Sequence, residues 1–335
     1  MREAMLPPNP LRILVIGAGV IGSLYAAKLA GSQSKVFLLA RGHRLAQLRR
    51  LGLQLEDRLS GERWTGDVKV VEKLAADDVF DLALVSVRRT QLNGVLPLAT
   101  NCNAPVVLFL LNNSQAEDLA KAFGVRAVFG FPGAGGVLEN GIVRYAMIAE
   151  QPTTVGEADG QISPRVIALA ALLRNAGFKT VFSGAITSWL RTHAVFITAV
   201  CGALYATGGS AAGLAANRPL LNLFIEATRE GFVALRLAGV KVTPFKLRIL
   251  FEFMPTWFAR GYWQRYFASP MGELVFASHA KAAREEIMEL VRECRELFLV
   301  QGVPLPLEKL WREIGSYGGQ PTSKLVIHDV QRLLH

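Results

Sequence analysis

The chain predicts an α/β fold, a doubly wound parallel sheet in the N-terminal half followed by an all-helical C-terminal domain. Three observations carry this reading. Apolar runs of strand length at residues 11–16, 35–40, 82–87 and 105–111 alternate with helix-forming segments, the pattern of strands buried on both faces of a parallel sheet. A G-x-G-x-x-G stretch follows the first run directly. After Ser183-Gly184 the strand pattern stops and only helical segments remain.

The first run, rich in Val and Ile, reads as a central strand, and the residues after Gly22 read as a helix with an apolar stripe. Between them stand Gly17, Ala18, Gly19, Val20, Ile21 and Gly22. Gly17 permits a tight turn, Gly19 lets a pyrophosphate approach the backbone, and Gly22 lets helix and strand pack closely. The phosphates would then meet the free N–H groups of the helix N-terminus, at Val20 and Ile21. Strand before and helix after are the context that the motif requires, so the expectation is a Rossmann-type dinucleotide site.

The second run ends at Arg41-Gly42-His43-Arg44, where an NAD-binding protein usually carries an acid for the ribose hydroxyls. No acid stands there. Arg41 and Arg44 can instead hold a 2′-phosphate through multidentate guanidinium contacts, which favours NADP(H) over NAD(H). Two solvated arginines opening the next helix would leave the same letters.

Further along, a short helix to about residue 51 is followed by strands at 53–55 and 67–71 around a Ser60-Gly61 turn. The strand 82–87 leads into Arg88-Arg89-Thr90-Gln91 and a helix, and 105–111 ends at Asn112-Asn113-Ser114. In a doubly wound sheet, ligands bind beyond the carboxyl ends of the strands, where Gly17, Arg41, Arg88 and Asn113 all fall. From 125 to 155 strands broken by glycines suggest a hairpin closing the first domain, with Gly133-Ala134-Gly135-Gly136 as a turn. A helix at 164–176 and a strand at 179–182 complete residues 1–184. The second domain, 185–335, reads as helices at 189–206, 219–238, 245–260, 280–300 and 307–314. Trp257, Tyr262, Trp263 and Phe267 recur near helical spacing and read as core or dimer packing.

With 335 residues, 51% hydrophobic and 19% charged, the chain is globular and long enough for two domains. Its net charge of +10 is dispersed, with no basic run and no nucleic-acid motif. A field drawing in a dinucleotide phosphate and an acidic small-molecule substrate accounts for it. Cys102, Cys201 and Cys294 are far apart, and the five histidines lack metal spacing, so neither a disulfide framework nor a metal site is expected. The first residues lack a signal-peptide core, and the apolar stretch 194–206 is too short to span a membrane. A cytoplasmic location is expected.

These motifs resemble the ketopantoate reductase (2-dehydropantoate 2-reductase) family over nearly the whole chain. The strongest matches are 17–27 and 38–42; weaker ones are Arg88 with Gln91, Asn113, the region around Ser269, and Glu286 ahead of Gly302-Val303-Pro304. Arg88 stands where the family usually has Lys, and Ser114 where Gly normally follows the family Asn. The resemblance implies an NADPH-dependent reductase of 2-oxo acids, of the kind that serves pantothenate biosynthesis, with dimers formed through the helical domain. It places a catalytic Lys and two Asn on the first helix of the second domain; here Thr192, Phe196 and Val200 occupy those positions. Spaced by four, they share one helix face, which has become apolar. The proton would have to come from Thr192, His193 or water, with His279 and Lys281 as further candidates; Arg191 can polarise an oxygen but hardly releases a proton, and Glu286 matches the substrate-binding acid. The apolar face would suit a larger or less polar carbonyl compound than ketopantoate. A chain that binds NADP and has lost its chemistry, serving as a sensor or interaction module, is the alternative.

Overall fold

A computed structural model describes residues 10–317. The chain divides into two compact units, Met1–Thr187 and Ser188–His335. The N-terminal segment read for a signal peptide, and the last residues of the second unit, lie outside the described residues.

In the first unit the elements run β1 (Arg12–Ile16), α1 (Val20–Gly31), β2 (Lys35–Leu39), α2 (Gly42–Leu51), β3 (Leu53–Asp57), β4 (Arg63–Gly66), β5 (Lys69–Val71) and β6 (Leu82–Val85). Then come α3 (Leu92–Asn101), β7 (Val106–Leu110), α4 (Ala116–Phe123), β8 (Ala127–Phe131), β9 (Ala134–Glu139), β10 (Ile142–Met147), β11 (Thr153–Gly156), α5 (Pro164–Asn175) and β12 (Thr180–Phe182). The main sheet has the order β12-β11-β8-β7-β6-β1-β2-β5. From β5 to β8 every pairing is parallel, as the buried apolar runs require. The chain reverses its direction of travel between β1 and β6, which makes that crevice the switch point.

The sheet departs from the sequence reading at three places. β11 joins β8 antiparallel, so the far edge is mixed. A second sheet, β4-β3-β10-β9, had no counterpart in the expected architecture. The turn near Ser60 joins β3 to β4, whereas β5 belongs to the main sheet beside β2; the period-2 pattern does not say which strand pairs with which. Third, the glycines taken as a turn enter β9. A Cβ at Gly136 would lie 2.2 Å from the Arg144 carbonyl oxygen, and one at Gly133 would lie 2.5 Å from that of Gln151. Close strand approach, not chain reversal, is what these residues permit; the reversal is at Asn140 and Gly141, both at positive φ.

The second sheet also explains α1. Ser23, Leu24, Tyr25, Ala26, Ala27 and Leu29 are all buried, because α1 packs against β9 and β10 as well as the main sheet. A helix covered on both sides is apolar all round, so the expected single stripe is absent.

The second unit contains α6 (Ile186–Tyr205), α7 (Ala211–Ala216), α8 (Arg218–Leu237), α9 (Phe245–Arg248), α10 (Thr256–Ala268), α11 (Ser278–Ala282), α12 (Arg284–Leu297) and α13 (Leu305–Ser316). Two π-helical turns, Ile249–Phe253 and Gly272–Ala277, precede α10 and α11. The core gathers around α6, where Val195, Ala199, Val200 and Ala203 are fully buried. Gly202 and Gly231 let neighbouring helices close on it: Cβ atoms there would meet the Leu310 carbonyl oxygen and the Val195 side chain, each at 2.5 Å. The expected helix 245–260 breaks at Met254, which is extended ahead of Pro255 as residues before proline tend to be. The expected helix 280–300 breaks at Ala283. Among the described residues no helix is long and apolar enough to cross a membrane.

Candidate functional site

The glycine-rich turn after β1 sits at the switch point. Gly17 has φ +112°, and a Cβ there would lie 2.2 Å from the Ser86 carbonyl oxygen on the neighbouring strand's end. At Gly22 a Cβ would lie 1.8 Å from the Gly17 carbonyl oxygen. Both positions therefore demand glycine within the protein itself. Gly19 differs: nothing lies within 4 Å of a Cβ built there. Gly19 is also the N-cap of α1, with no side chain capping the helix and no acid in the first turn. The N–H groups beyond it, at Val20 and Ile21, begin the helix and face an uncrowded space, the arrangement that receives a phosphate.

Arg41 is exposed and ends the loop after β2, and its side chain makes no hydrogen bond or ion pair among the described residues. Arg44 behaves differently from the expectation. Its Nε donates to the Ala18 carbonyl oxygen (3.1 Å), Nη1 to the Gly141 carbonyl oxygen (3.0 Å) and Nη2 to Ser23 Oγ (3.4 Å). Ser23 Oγ donates to the same Ala18 oxygen at 3.2 Å. Arg44 is thus a strut that ties the glycine turn to the β9–β10 hairpin, and a guanidinium so engaged is not the flexible phosphate ligand read from the sequence. Nothing in the letters Arg-Gly-His-Arg separates the two arginines. Their roles diverge because Arg41 caps the helix while Arg44 lies one turn inside it, turned toward α1.

Arg88 is exposed in the loop after β6. Its N–H donates to Gln91 Oε1 at 3.4 Å, which fixes the loop. Arg89 next to it is buried and donates from Nη2 to Gln115 Oε1 (3.1 Å). Asn113 follows β7 and is only 3% exposed. Its Oδ1 accepts from the Gln115 N–H (3.1 Å), while its buried Nδ2 has no partner. A buried amide donor without an acceptor is costly, and this one stands in the loop where a doubly wound sheet receives its ligand. The glycine cradle and this orphan donor both fit a dinucleotide.

The helical unit disposes its candidates less favourably. Thr192 is fully buried; its hydroxyl donates to the Ser188 carbonyl oxygen (2.8 Å) and accepts from the Thr243 N–H (3.2 Å). That proton is already committed, so Thr192 holds the Thr243 loop rather than supplying an acid. Phe196 is not the wall of an open cleft: its ring lies 5.5–6.1 Å from those of Phe224, Phe251, Trp263 and Phe276. Val200, four residues further along α6, is fully buried. This face of α6 is core, where the sequence reading had it suit a larger or less polar carbonyl compound.

His193 stacks on Trp189, ring centroids 5.3 Å apart. Burial, with the charge of His279 adding to it, pushes its pKa down to about 3, so the imidazole is neutral at physiological pH and carries no labile acid proton. Lys281 pairs with Glu273 (2.9 Å). Ser269 Oγ donates to the Tyr266 carbonyl oxygen (2.6 Å) at the end of α10. Glu286, in the first turn of α12, is 5% exposed, whereas its neighbour Glu285 is exposed. Its carboxylate reinforces burial in pushing up the pKa of the Cys201 thiol. Cys102, Cys201 and Cys294 are all free and buried, and no cluster of metal-ligating side chains exists among the described residues.

Comparison with known proteins bears on the same region. The sequence model of the family described as ketopantoate reductase PanE/ApbA matches residues 13–160, from β1 through the glycine turn to β11. The N-terminal unit is thus similar to the ketopantoate reductase family. A 2-dehydropantoate 2-reductase of Archaeoglobus fulgidus is 31% identical over 169 residues, 50% of this chain and 54% of that protein. One from Halobacterium salinarum is 31% identical over 179 residues, 51% of this chain and 57% of that one. The chain thus spans about half the length of the curated relatives it matches. Solved structures extend the likeness of fold: 2-dehydropantoate 2-reductase from Geobacter metallireducens GS-15 covers 91% of this chain and 99% of its own, at TM-score 0.70 and 18% identity. D-mandelate dehydrogenase, solved with NADH and anilino(oxo)acetate, covers 92% and 99% at TM-score 0.65 and 17% identity. The family signature therefore rests on the sheet and its glycine turn, and the helical unit shares the fold of these proteins.

Proposed function

We propose that the chain is an NADPH-dependent oxidoreductase of ketopantoate-reductase type, which reduces a 2-oxo acid or related carbonyl compound to the hydroxy compound. The observation that carries this is the turn after β1: two positions that only glycine can fill frame a third, Gly19, whose surroundings are open. Val20, Ile21 and Asn113 would hold the dinucleotide backbone, Arg41 its 2′-phosphate, and Arg88 an adjacent anionic group, of cofactor or substrate. Bound there, the nicotinamide supplies a hydride. The absence of an acid at the end of β2, together with the unpartnered Arg41, supports NADPH over NADH. In the helical unit Glu286 is the residue proposed to accept a hydrogen bond from a substrate hydroxyl group. Thr192 and His193 lose their expected role as acids, the first because its proton is committed and the second because it is neutral. A proton would then come from water or from His279. The enzyme is proposed to work in the cytoplasm.

The same two facts favour a second reading, an NADP-binding protein without turnover, since the face of α6 that the family uses for chemistry is closed by Phe196 and Val200. Titration with NADPH, followed as enhancement of its fluorescence, tests the cofactor site common to both. A panel of 2-oxo acids and ketones then separates them. Turnover of any member at about 1 per second or faster supports the enzyme; tight NADPH binding with no turnover across the panel supports the binder.

A further inference from the structure

The loops that end two neighbouring strands are tied together by a buried cation. Arg89 stands in the loop after β6 and Gln115 in the loop after β7, and the two strands run in parallel with Val85 beside Phe109. Arg89 is 8% exposed, a depth at which a guanidinium is rare unless something holds it. Its Nη2 donates to Gln115 Oε1 (3.1 Å), 26 positions away in sequence. The backbone that carries Arg89 is itself braced. Arg89–Gln91 form a single tight turn in which the Gln91 N–H donates to the Arg88 carbonyl oxygen (2.8 Å) and Gln91 Oε1 accepts from the Arg88 N–H (3.4 Å).

Gln115 occupies the N-cap of α4, yet its side chain makes no capping bond there. The side chain reaches to Arg89 instead, while its backbone N–H donates to Asn113 Oδ1 (3.1 Å). That second bond decides which way the amide of Asn113 lies. A backbone N–H can only donate, so Oδ1 must face it and Nδ2 must face away. Nδ2 is the buried donor without a partner described above. Arg89, Gln115 and Asn113 thus stand in one line of contacts, which starts at a braced cation and ends on an unused donor beyond the carboxyl end of β7.

We propose that Arg89 is a positioning residue for the dinucleotide site: by fixing Gln115, it holds the Asn113 amide with Nδ2 toward the bound dinucleotide. The inference rests on the cofactor reading above. Arg89 acts through Asn113 and not by a contact of its own. A donor set in place before the ligand arrives need not be ordered on binding, so the gain is preorganisation. A buried cation could also favour an anionic ligand by its charge alone. The two effects differ in one respect: the charge would still be felt after Asn113 is removed, whereas the positioning effect would vanish with it.

Calorimetric titration of the full chain with NADPH tests this. Asn113→Ala is expected to weaken binding about tenfold or more, the loss of one donor. Arg89→Met, which keeps the apolar stem, is expected to weaken it about fivefold or more, and Arg89→Lys, which keeps a donor for Gln115 Oε1, to stay within about threefold of the wild type. In the Asn113→Ala background Arg89→Met is expected to add less than about twofold. Arg89→Met binding NADPH as tightly as the wild type overturns the proposal, and so do losses that add in full in the double variant, which would make Arg89 a charge or a general support. Both outcomes leave the cofactor reading standing. A wild-type protein that ignores NADPH at about 1 mM overturns that reading and this proposal with it. Should Arg89→Met fail to fold, Gln115→Leu takes its place in the same cycle with the same expected values, since it removes the acceptor and keeps the N–H that faces Asn113.

Discussion

Substituting alanine at each of the three glycines after β1 should separate the part of the turn that serves folding from the part that serves a ligand. At Gly22 the new methyl would sit 1.8 Å from the Gly17 carbonyl oxygen. Contact distances of 3.0 Å or more then require α1 to retreat from β1 by about an ångström, at the overpacking cost of about 1–3 kcal/mol or more. Gly17→Ala adds a left-handed φ to a 2.2 Å clash, so both variants should lose several degrees of Tm without any ligand present. Gly19→Ala should not. Its backbone is extended, at φ −75° and ψ −165°, and the methyl meets nothing. The modest loss of N-cap preference is offset by the smaller entropy of the unfolded chain. In the bound state that methyl would occupy the place of the pyrophosphate and separate it from at least one N–H donor, a charge-assisted bond of about 1.5–3 kcal/mol, or roughly 10- to 150-fold in Kd. Thermal melting without ligand and calorimetric titration with NADPH provide the two readouts. A Gly19→Ala protein that melts like the wild type and binds NADPH equally well would refute the placement of the phosphates on α1.

The arginines after β2 should separate in the same way. Arg41→Glu should weaken NADPH by about tenfold or more, one lost charge-assisted contact, and leave NADH nearly unchanged; equal losses for the two would remove the 2′-phosphate from Arg41. Arg44→Ala should weaken both dinucleotides together and lower Tm, because it releases Ala18, Ser23 and Gly141 at once. His193 has an acid-side signature: the unfolded chain takes up this proton near pH 6.5, the folded chain only near 3. Stability therefore rises with pH across that window, is complete above it and is lost as pH falls through it. His193→Phe should flatten the urea midpoint between pH 4 and 6.5, and no ionisation of His193 should appear in any rate measured above pH 6. Grafting the family's polar pattern by Phe196→Asn should cost about 3–5 kcal/mol of stability in urea titrations, since it removes a ring from an aromatic cluster and buries an amide. A stable, folded Phe196→Asn protein would show that face to be open after all.

How much was legible follows from the range of each signal. The parallel sheet and the glycine turn were readable because most of their causes are local: an apolar run marks a strand buried on both faces, and Gly22 is demanded by the Gly17 carbonyl within the same β–α unit, although Gly17 itself is demanded by Ser86 at the end of β6. The second sheet was not, because β3 pairs with β10, 88 residues away, and nothing in Leu53-Gln54-Leu55 names that partner. The all-round burial of α1 follows from that sheet and was missed with it. In the helical unit the expected helix 245–260 runs through Pro255, and α10 beyond it reads only as aromatic residues near helical spacing, since a helix with rings on both faces lacks the single stripe that marks an amphipathic one.

The face of α6 shows most sharply where letters stop and packing begins. From the sequence, Thr192, Phe196 and Val200 are three substitutions on one face, and two explanations compete, a reshaped pocket or a closed core. The distinction depends on what α8, α10 and the segments around Phe251 and Phe276 place opposite, and those lie 28 to 80 residues further on. Phe196 meets four rings there, so its side chain replaces a polar contact by dispersion and apolar burial, and Thr192 turns its hydroxyl to backbone groups on both sides. A helix rebuilt in this way gains stability from the residues that chemistry of the family's type would need to be polar. The glycine turn keeps the two positions that its packing demands, while Phe196 and Val200 on α6 are apolar core, so the proposed binding and the proposed turnover can be tested apart. Measuring them separately, NADPH affinity first and carbonyl reduction second, is therefore the order that the residues themselves dictate.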